Sequence, residues 1–215
     1  MRVVNLSGLY VILDGDALRG RSLPDALKAA VDGGARLFQY RDKSAAMREA
    51  YRVGAELRRA ATSFGATLIV NDRVDLALAI EADGVHLGQA DLPVEHARRL
   101  LGPTRLIGLS THNVEQVRAA ATSGPDYLGF GPIFRPLSKI DHDPVVGLDG
   151  LRAVRQLTTL PLFAIGGIQA ESVPSVVSAG ANGMAVISAI WQAPDTAQAV
   201  RELISRIATA GRPAR

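Results

Sequence analysis

Short apolar runs alternate with amphipathic stretches eight times along the chain, and no other feature restricts the fold as much. The runs are GLYVILD (8–14), RLFQY (36–40), TLIVN (67–71), GVHL (84–87), RLIGLS (105–110), YLGFG (127–131), LFAIGG (162–167) and GMAVIS (183–188). Each is short, continuous and bounded by turn residues, the pattern of a strand buried on both faces. Between them, LPDALKAAVDGG, AAMREAYRVGAELRRAATSFG and VPSVVSAGANG have helical spacing, and most such stretches end in glycine. Strand followed by helix, repeated, implies parallel strands joined by right-handed crossovers. Eight units predict a single (β/α)8 TIM barrel over residues 1–209, with 210–215 as a frayed tail. The alternative is a doubly wound open sheet. It calls for a Gly-rich fingerprint after the first strand, which LDGDALRG at 13–20 matches poorly.

A chain of 215 residues with 47% apolar and 21% charged residues has the material for one large core. Its net charge of +3 is small and its basic residues are scattered, so no nucleic-acid footprint is expected. With no cysteine there is no disulfide, thiolate metal site or cysteine nucleophile. No segment approaches the roughly 20 apolar residues of a membrane span, and the N-terminus lacks a signal-peptide pattern. A cytoplasmic location and no membrane partner are expected, while a homo-oligomer is left open.

In a barrel of this kind the chemistry sits at the C-terminal ends of the strands and in the loops that follow. Those ends carry Gln39, Arg41 and Lys43; Asn71 and Asp72; Gln89 and Asp91; Ser110 and His112; then Lys139 in a long loop, Gly166 and Gly167, and Ser188. A core alone does not call for so many polar groups. Gly166-Gly167 and Ile187-Ser188 follow strands seven and eight, where backbone N–H groups and a short helix N-terminus suit a phosphate. For the glycines a tight turn is the competing explanation.

Arg41 and Lys43 are two apart and in an extended segment project to one side, which suits a second anionic group that Lys139 could join. Asp72 and Asp91 end adjacent strands, so their carboxylates can share one hard cation. Mg2+ is the expected ion, with phosphate oxygens and water completing its shell. The alternatives are a general acid/base pair or two helix N-caps. His86 lies inside a strand and is expected to be a packed or hydrogen-bonded core residue, while His96 and His142 are expected to be exposed. Ser110 and His112 do not make a nucleophilic triad, because no orienting acid or nucleophile elbow accompanies them. Trp191 suits either a barrel cap or a ligand contact. Two anion sites and a divalent metal fit a reaction in which pyrophosphate departs.

The motifs QYRDK (39–43), VNDRVDLAL (70–78), GVHLGQAD (84–91), GLSTHN (108–113), YLGFGPIF (127–134), SKIDHDPVVGL (138–148), AIGGI (164–168) and AVISAI (185–190) occur in a specific order and spacing. In these the chain resembles the thiamine-phosphate synthase and thiazole tautomerase family over essentially its whole length. The resemblance implies a (β/α)8 barrel that joins a hydroxymethylpyrimidine diphosphate to a thiazole phosphate, with the pyrophosphate leaving first. It further implies that Gln39, Arg41, Lys43, Asn71 and Lys139 hold the diphosphate, with Ser110 near the pyrimidine. Asp72 and Asp91 would bind Mg2+, and Pro136, Ser138, Gly167, Ile187 and Ser188 would face the thiazole phosphate. The catalytic set is then Arg41, Lys43, Ser110 and Lys139.

One segment departs from the family pattern. The synthases typically show proline, threonine, a variable residue and threonine before the lysine, whereas this chain has Arg135, Pro136, Leu137 and Ser138. Ser138 keeps a hydroxyl, but Pro136 loses both a hydroxyl and a backbone donor. Two other functions compete: a tautomerase relying on His112, which has no use for a pyrophosphate-bound metal, and a non-catalytic barrel that senses a phosphorylated ligand. The charged strand ends favour the synthase.

Overall fold

The computed structural model describes residues 6–18, 20–135 and 143–211. Eight parallel strands close in sequence order: β1 (Gly8–Asp14), β2 (Leu37–Arg41), β3 (Thr67–Asn71), β4 (Gly84–Leu87), β5 (Leu106–Thr111), β6 (Tyr127–Phe130), β7 (Leu162–Ile165) and β8 (Gly183–Val186). Closure is made by β8, which pairs with β1 from Gly8↔Gly183 to Val11↔Val186. Around them lie α1 (Leu23–Asp32), α2 (Met47–Ser63), α3 (Val74–Ala79), α4 (Val94–Leu101), α5 (Val114–Ser123), α6 (Gly147–Arg155), α7 (Val173–Ser178), α8 (Ser188–Trp191) and α9 (Thr196–Ala210). The (β/α)8 barrel expected from the alternation is therefore the fold, and the open sheet is not. No described helix is long and apolar enough to cross a membrane.

The helix ends follow local chemistry. Ser22 accepts from the Asp25 N–H at the start of α1, with Pro24 in the first turn; Asn113 accepts from the Gln116 N–H ahead of α5. Gly124 closes α5 at φ 77°, a left-handed conformation that glycine adopts without a Cβ penalty. Gly166 and Gly167 have φ of +87° and +65°, so β7 stops at Ile165 and the pair belongs to the loop rather than the strand.

Two apolar cores result. Tyr10, Leu37, Ile69, Tyr127, Phe163 and Ala185 fill the barrel interior, where the rings of Tyr10, Tyr127 and Phe163 meet edge to face at 5.4–6.0 Å. The second core, with Leu27, Leu57, Leu68, Val85, Ile107 and Leu128 among its fully buried members, lies between strands and helices. Trp191 caps the barrel from α8: it is 4% exposed, and its Nε1 donates to the Ile12 carbonyl at 2.7 Å.

Three matching clamps fix strand pairs at the N-terminal end. Before β4, the Asp83 N–H donates to the Leu68 carbonyl while its carboxylate accepts from the Leu68 N–H and from Arg58 of α2. Before β6, Asp126 does the same with Ile107 and with Arg98 of α4. Before β8, Asn182 repeats the geometry with Leu162 and Arg155 of α6. Each clamp joins a helix, the next strand and the strand after it. The corresponding position before β2 is Arg36, whose guanidinium bonds the Val31 and Ala35 carbonyls instead.

Candidate active site

Side chains at the C-terminal ends of the strands surround a cleft of about 500 Å3. Gln39, Arg41, Lys43, Asn71, Asp72, Asp91, Ser110, His112, Gly167, Ile187 and Ser188 all line it. These groups come from strand ends and loops that sequence separates widely, and the closed topology brings them together. Pro136, Ser138, Lys139 and His142 lie outside the described residues.

Arg41 ends β2, and its guanidinium pairs with Asp14 at the end of the adjoining β1, in register with it. Asp14 is buried and its second oxygen accepts from the Ala17 N–H at 2.9 Å. The acid holds the guanidinium at the cleft wall, while Lys43 Nζ lies 3.3 Å from Asp72. Asp14 is absent from the strand-end residues expected at the cleft, although an acid closing the run GLYVILD is the same kind of signal that singles out Asp72 after TLIVN.

Asp72 follows β3 at φ 60°, a left-handed conformation in which aspartate is one of the few tolerated side chains, and its N–H donates to the His86 carbonyl at 2.8 Å. Asp91 is returned towards β4 by the Gly88 N–H, which donates to its carboxylate at 2.7 Å. Burial pushes the Asp91 carboxyl up from its usual value and the adjoining Asp72 carboxylate pushes it further, against the pull of the Gly88 N–H and Lys43. Among the described residues, the exposed Lys43 is the cation beside these two crowded acids. Among the described residues no group of three or more His, Cys, Asp or Glu side chains is gathered at one point.

His86 is buried, as expected, but it also faces the cleft. Its Nε2 is 2.9 Å from Ser110 Oγ and its Nδ1 is 3.1 Å from Tyr127 Oη. Ser110 is therefore partnered by His86 and not by His112, whose Nδ1 donates to the Gly131 carbonyl at 2.7 Å and whose Nε2 lies 3.5 Å from Asp143. His96 is exposed. Burial lowers the His86 pKa from 6.5 to about 4, with Asp91 acting against it. Because the unfolded chain takes up that proton first, the His86 contribution to stability is intact above pH 6.5 and drains as pH falls towards 4. The loss is on the order of 3 kcal/mol. Urea unfolding at about pH 7 and about pH 4.5, values that bracket most of this titration, should show the loss, and a His86→Asn variant should lack that share of it.

Gly108 makes room for this contact. A Cβ there would stand 2.2 Å from Tyr127 Cζ and 2.4 Å from His86 Nδ1. Gly108→Ala should cost on the order of 3 kcal/mol by overpacking and lower the thermal midpoint accordingly. Gly166 and Gly167 are similarly constrained, since a Cβ at Gly167 would meet the Arg135 carbonyl oxygen at 2.7 Å. Their tight turn is thus a packing requirement of the loop after β6, whatever ligand their backbone also meets. Ser188 begins the four-residue α8 beside them.

Fold and cleft together define a (β/α)8 barrel protein with a charged, carboxylate-bearing mouth. The family model for thiamine monophosphate synthase matches residues 9–190. Thiamine-phosphate synthase from Chloroflexus aurantiacus is 49% identical over 195 residues, covering 91% of this chain and 90% of that protein. The enzyme of the same name from Natronomonas pharaonis is 46% identical over 203 residues, covering 93% and 94%. In three dimensions, thiamine phosphate pyrophosphorylase from Pyrococcus furiosus superposes with a TM-score of 0.86 at 37% identity, covering 96% of this chain and 98% of that one. The chain belongs to the thiamine monophosphate synthase family. The two sequence relatives carry the synthase name, and the tautomerase and non-catalytic readings find no support among these proteins.

Proposed function

We propose that this barrel is a transferase that joins 4-amino-2-methyl-5-hydroxymethylpyrimidine diphosphate to a thiazole phosphate, giving thiamine phosphate and pyrophosphate. The observation that carries the reading is the juxtaposition of Asp72, Asp91, Lys43 and Arg41 at one mouth. Departure of the diphosphate breaks the methylene C–O bond and leaves a cationic pyrimidine methylene, which the thiazole nitrogen then attacks. Arg41 and Lys43, joined by Lys139, are suited to hold the diphosphate and neutralise charge as the bond breaks. Gln39 and Asn71 would orient the same substrate, and Ser110 would bond its pyrimidine. Gly167, Ile187 and Ser188 would take the thiazole phosphate on backbone and hydroxyl donors, and Pro136 and Ser138 belong to the same proposed set. The apolar walls of Ile165 and Phe163 favour exclusion of water from the cation.

The donor set fits a hard divalent ion. Two adjoining carboxylates, with Asp91 raised by burial and further by Asp72, supply the one or two acidic ligands that Mg2+ takes when substrate phosphate and water complete its shell. Bound there by Asp72 and Asp91, Mg2+ would supply neutralising charge for the diphosphate oxygens. Phosphorylated substrates of this kind support a cytoplasmic location. The direct test mixes purified protein with both substrates and Mg2+ and follows thiamine phosphate and pyrophosphate. Equimolar, Mg2+-dependent formation of the two supports the reading, whereas no product from either order of addition would refute it.

A further inference from the structure

Five polar side chains from five strands form one chain of hydrogen bonds across the barrel interior. Gln39 Nε2 donates to Tyr10 Oη at 2.9 Å, Tyr10 Oη lies 2.9 Å from Tyr127 Oη, Tyr127 Oη lies 3.1 Å from His86 Nδ1, and His86 Nε2 lies 2.9 Å from Ser110 Oγ. Both ends, Gln39 and Ser110, face the cleft. Tyr10 and Tyr127 are each 1% exposed, so water does not compete for their protons.

The direction of every bond follows from donor and acceptor inventory. The Gln39 amide N–H can only donate, so the Tyr10 proton must pass to Tyr127. Tyr127 Oη has then accepted from Tyr10 and must give its own proton to His86 Nδ1. A ring nitrogen that accepts is unprotonated, which puts the imidazole proton on Nε2 and points it at Ser110 Oγ. Ser110, having accepted, is left to donate its hydroxyl proton into the cleft. An imidazolium at His86 would reverse the Tyr127 bond and leave one of the two phenol protons without an acceptor.

We propose that Tyr10, Tyr127 and His86 are positioning residues that lock His86 in the Nε2–H tautomer and thereby make Ser110 an obligate hydrogen-bond donor to the substrate. The substrate atom it meets is then an acceptor, such as an unprotonated ring nitrogen. This last step rests on the synthase reading; the tautomer itself does not.

Two measurements test it on the whole protein. Nitrogen-15 NMR of imidazole-labelled protein without substrate should show His86 Nδ1 as an unprotonated nitrogen and Nε2 as a protonated one. In Tyr127→Phe both signals should move towards averaged values, since nothing then fixes the tautomer. Tyr10→Phe should do the same from one link further away, and it serves if Tyr127→Phe does not fold. With both substrates present, Tyr127→Phe should lower kcat/KM about tenfold in the native background and less than about twofold in Ser110→Ala. A protonated Nδ1 in the native protein, or equal losses in the two backgrounds, would overturn the relay. Because the NMR arm needs no substrate, a chain lacking synthase activity refutes the function and leaves the tautomer separately decided.

Discussion

Asp72→Asn and Asp91→Asn should each lower kcat/KM for thiamine phosphate formation by about a hundredfold, corresponding to about 2.7 kcal/mol of lost transition-state stabilisation, and should raise the Mg2+ concentration needed for half activity. Asparagine is the informative replacement. At φ 60° Asp72 occupies a left-handed conformation that asparagine tolerates and alanine resists, so Asp72→Asn removes charge without adding backbone strain. In Asp91→Asn the side-chain amide oxygen can still accept from the Gly88 N–H, keeping the loop in place. Each substitution also removes one of two crowded carboxylates, where Asp91 is raised by burial and further by Asp72. The metal-free variants should therefore unfold at the same temperature as the parent or slightly above it. Activity falling while stability holds or rises is the signature of a charge pair kept for binding. Unchanged Mg2+ dependence in both variants would remove these residues from the metal site, and chelation of the parent with EDTA should mimic their loss.

The second large effect belongs to the opposite end of the barrel. Asp126→Ala should destabilise the fold by about 2–3 kcal/mol, a fall of roughly 4–12 °C in thermal midpoint for a chain of this size, with the surviving folded protein keeping its kcat. The ion pair with Arg98 is a minor part of this, because the Arg98 and Asp126 side chains are 26% and 36% exposed and solvent screens them. The main loss comes from the Ile107 N–H, in a residue fully withdrawn from water, whose acceptor is the Asp126 carboxylate at 2.7 Å. Asp126→Asn keeps that acceptor and should cost less than about 1 kcal/mol, as Asn182 already performs the same task before β8. Differential scanning calorimetry of the two variants checks the ordering; equal losses would show the charge to be what matters.

All eight strands were legible because each is buried on both faces and announces itself as a continuous apolar run, and the strand ends pointed to the cleft because a closed parallel barrel leaves them nowhere else to converge. What stayed hidden were partnerships. Arg41 and Lys43 look like a pair in QYRDK, yet each is claimed by an acid from a different strand end, Asp14 and Asp72. Tyr10 and Tyr127 are 117 positions apart and read separately as apolar strand residues; only closure of the barrel puts their hydroxyls 2.9 Å from each other. His86 was legible as a hydrogen-bonded core residue but not as the neighbour of Ser110, since that contact spans adjacent strands whose register no local pattern reveals. Gly166 and Gly167 were recognisable as special, but their crowding against residues 132–135 depends on a loop that comes some thirty residues earlier in the chain.

The three clamps before β4, β6 and β8 divide much of the barrel into pieces of one helix, strand, helix and strand, each tied within itself. The joints between these pieces are the loops after β2, β4 and β6, and Lys43 and Asp91 sit in two of them. A chain severed at such a joint would keep every clamp inside one fragment. Halves cut between Ala90 and Val94 are accordingly the ones to co-express for reassembly, whereas a cut between β5 and β6 would part Asp126 from Ile107 and remove the contact that registers those two strands.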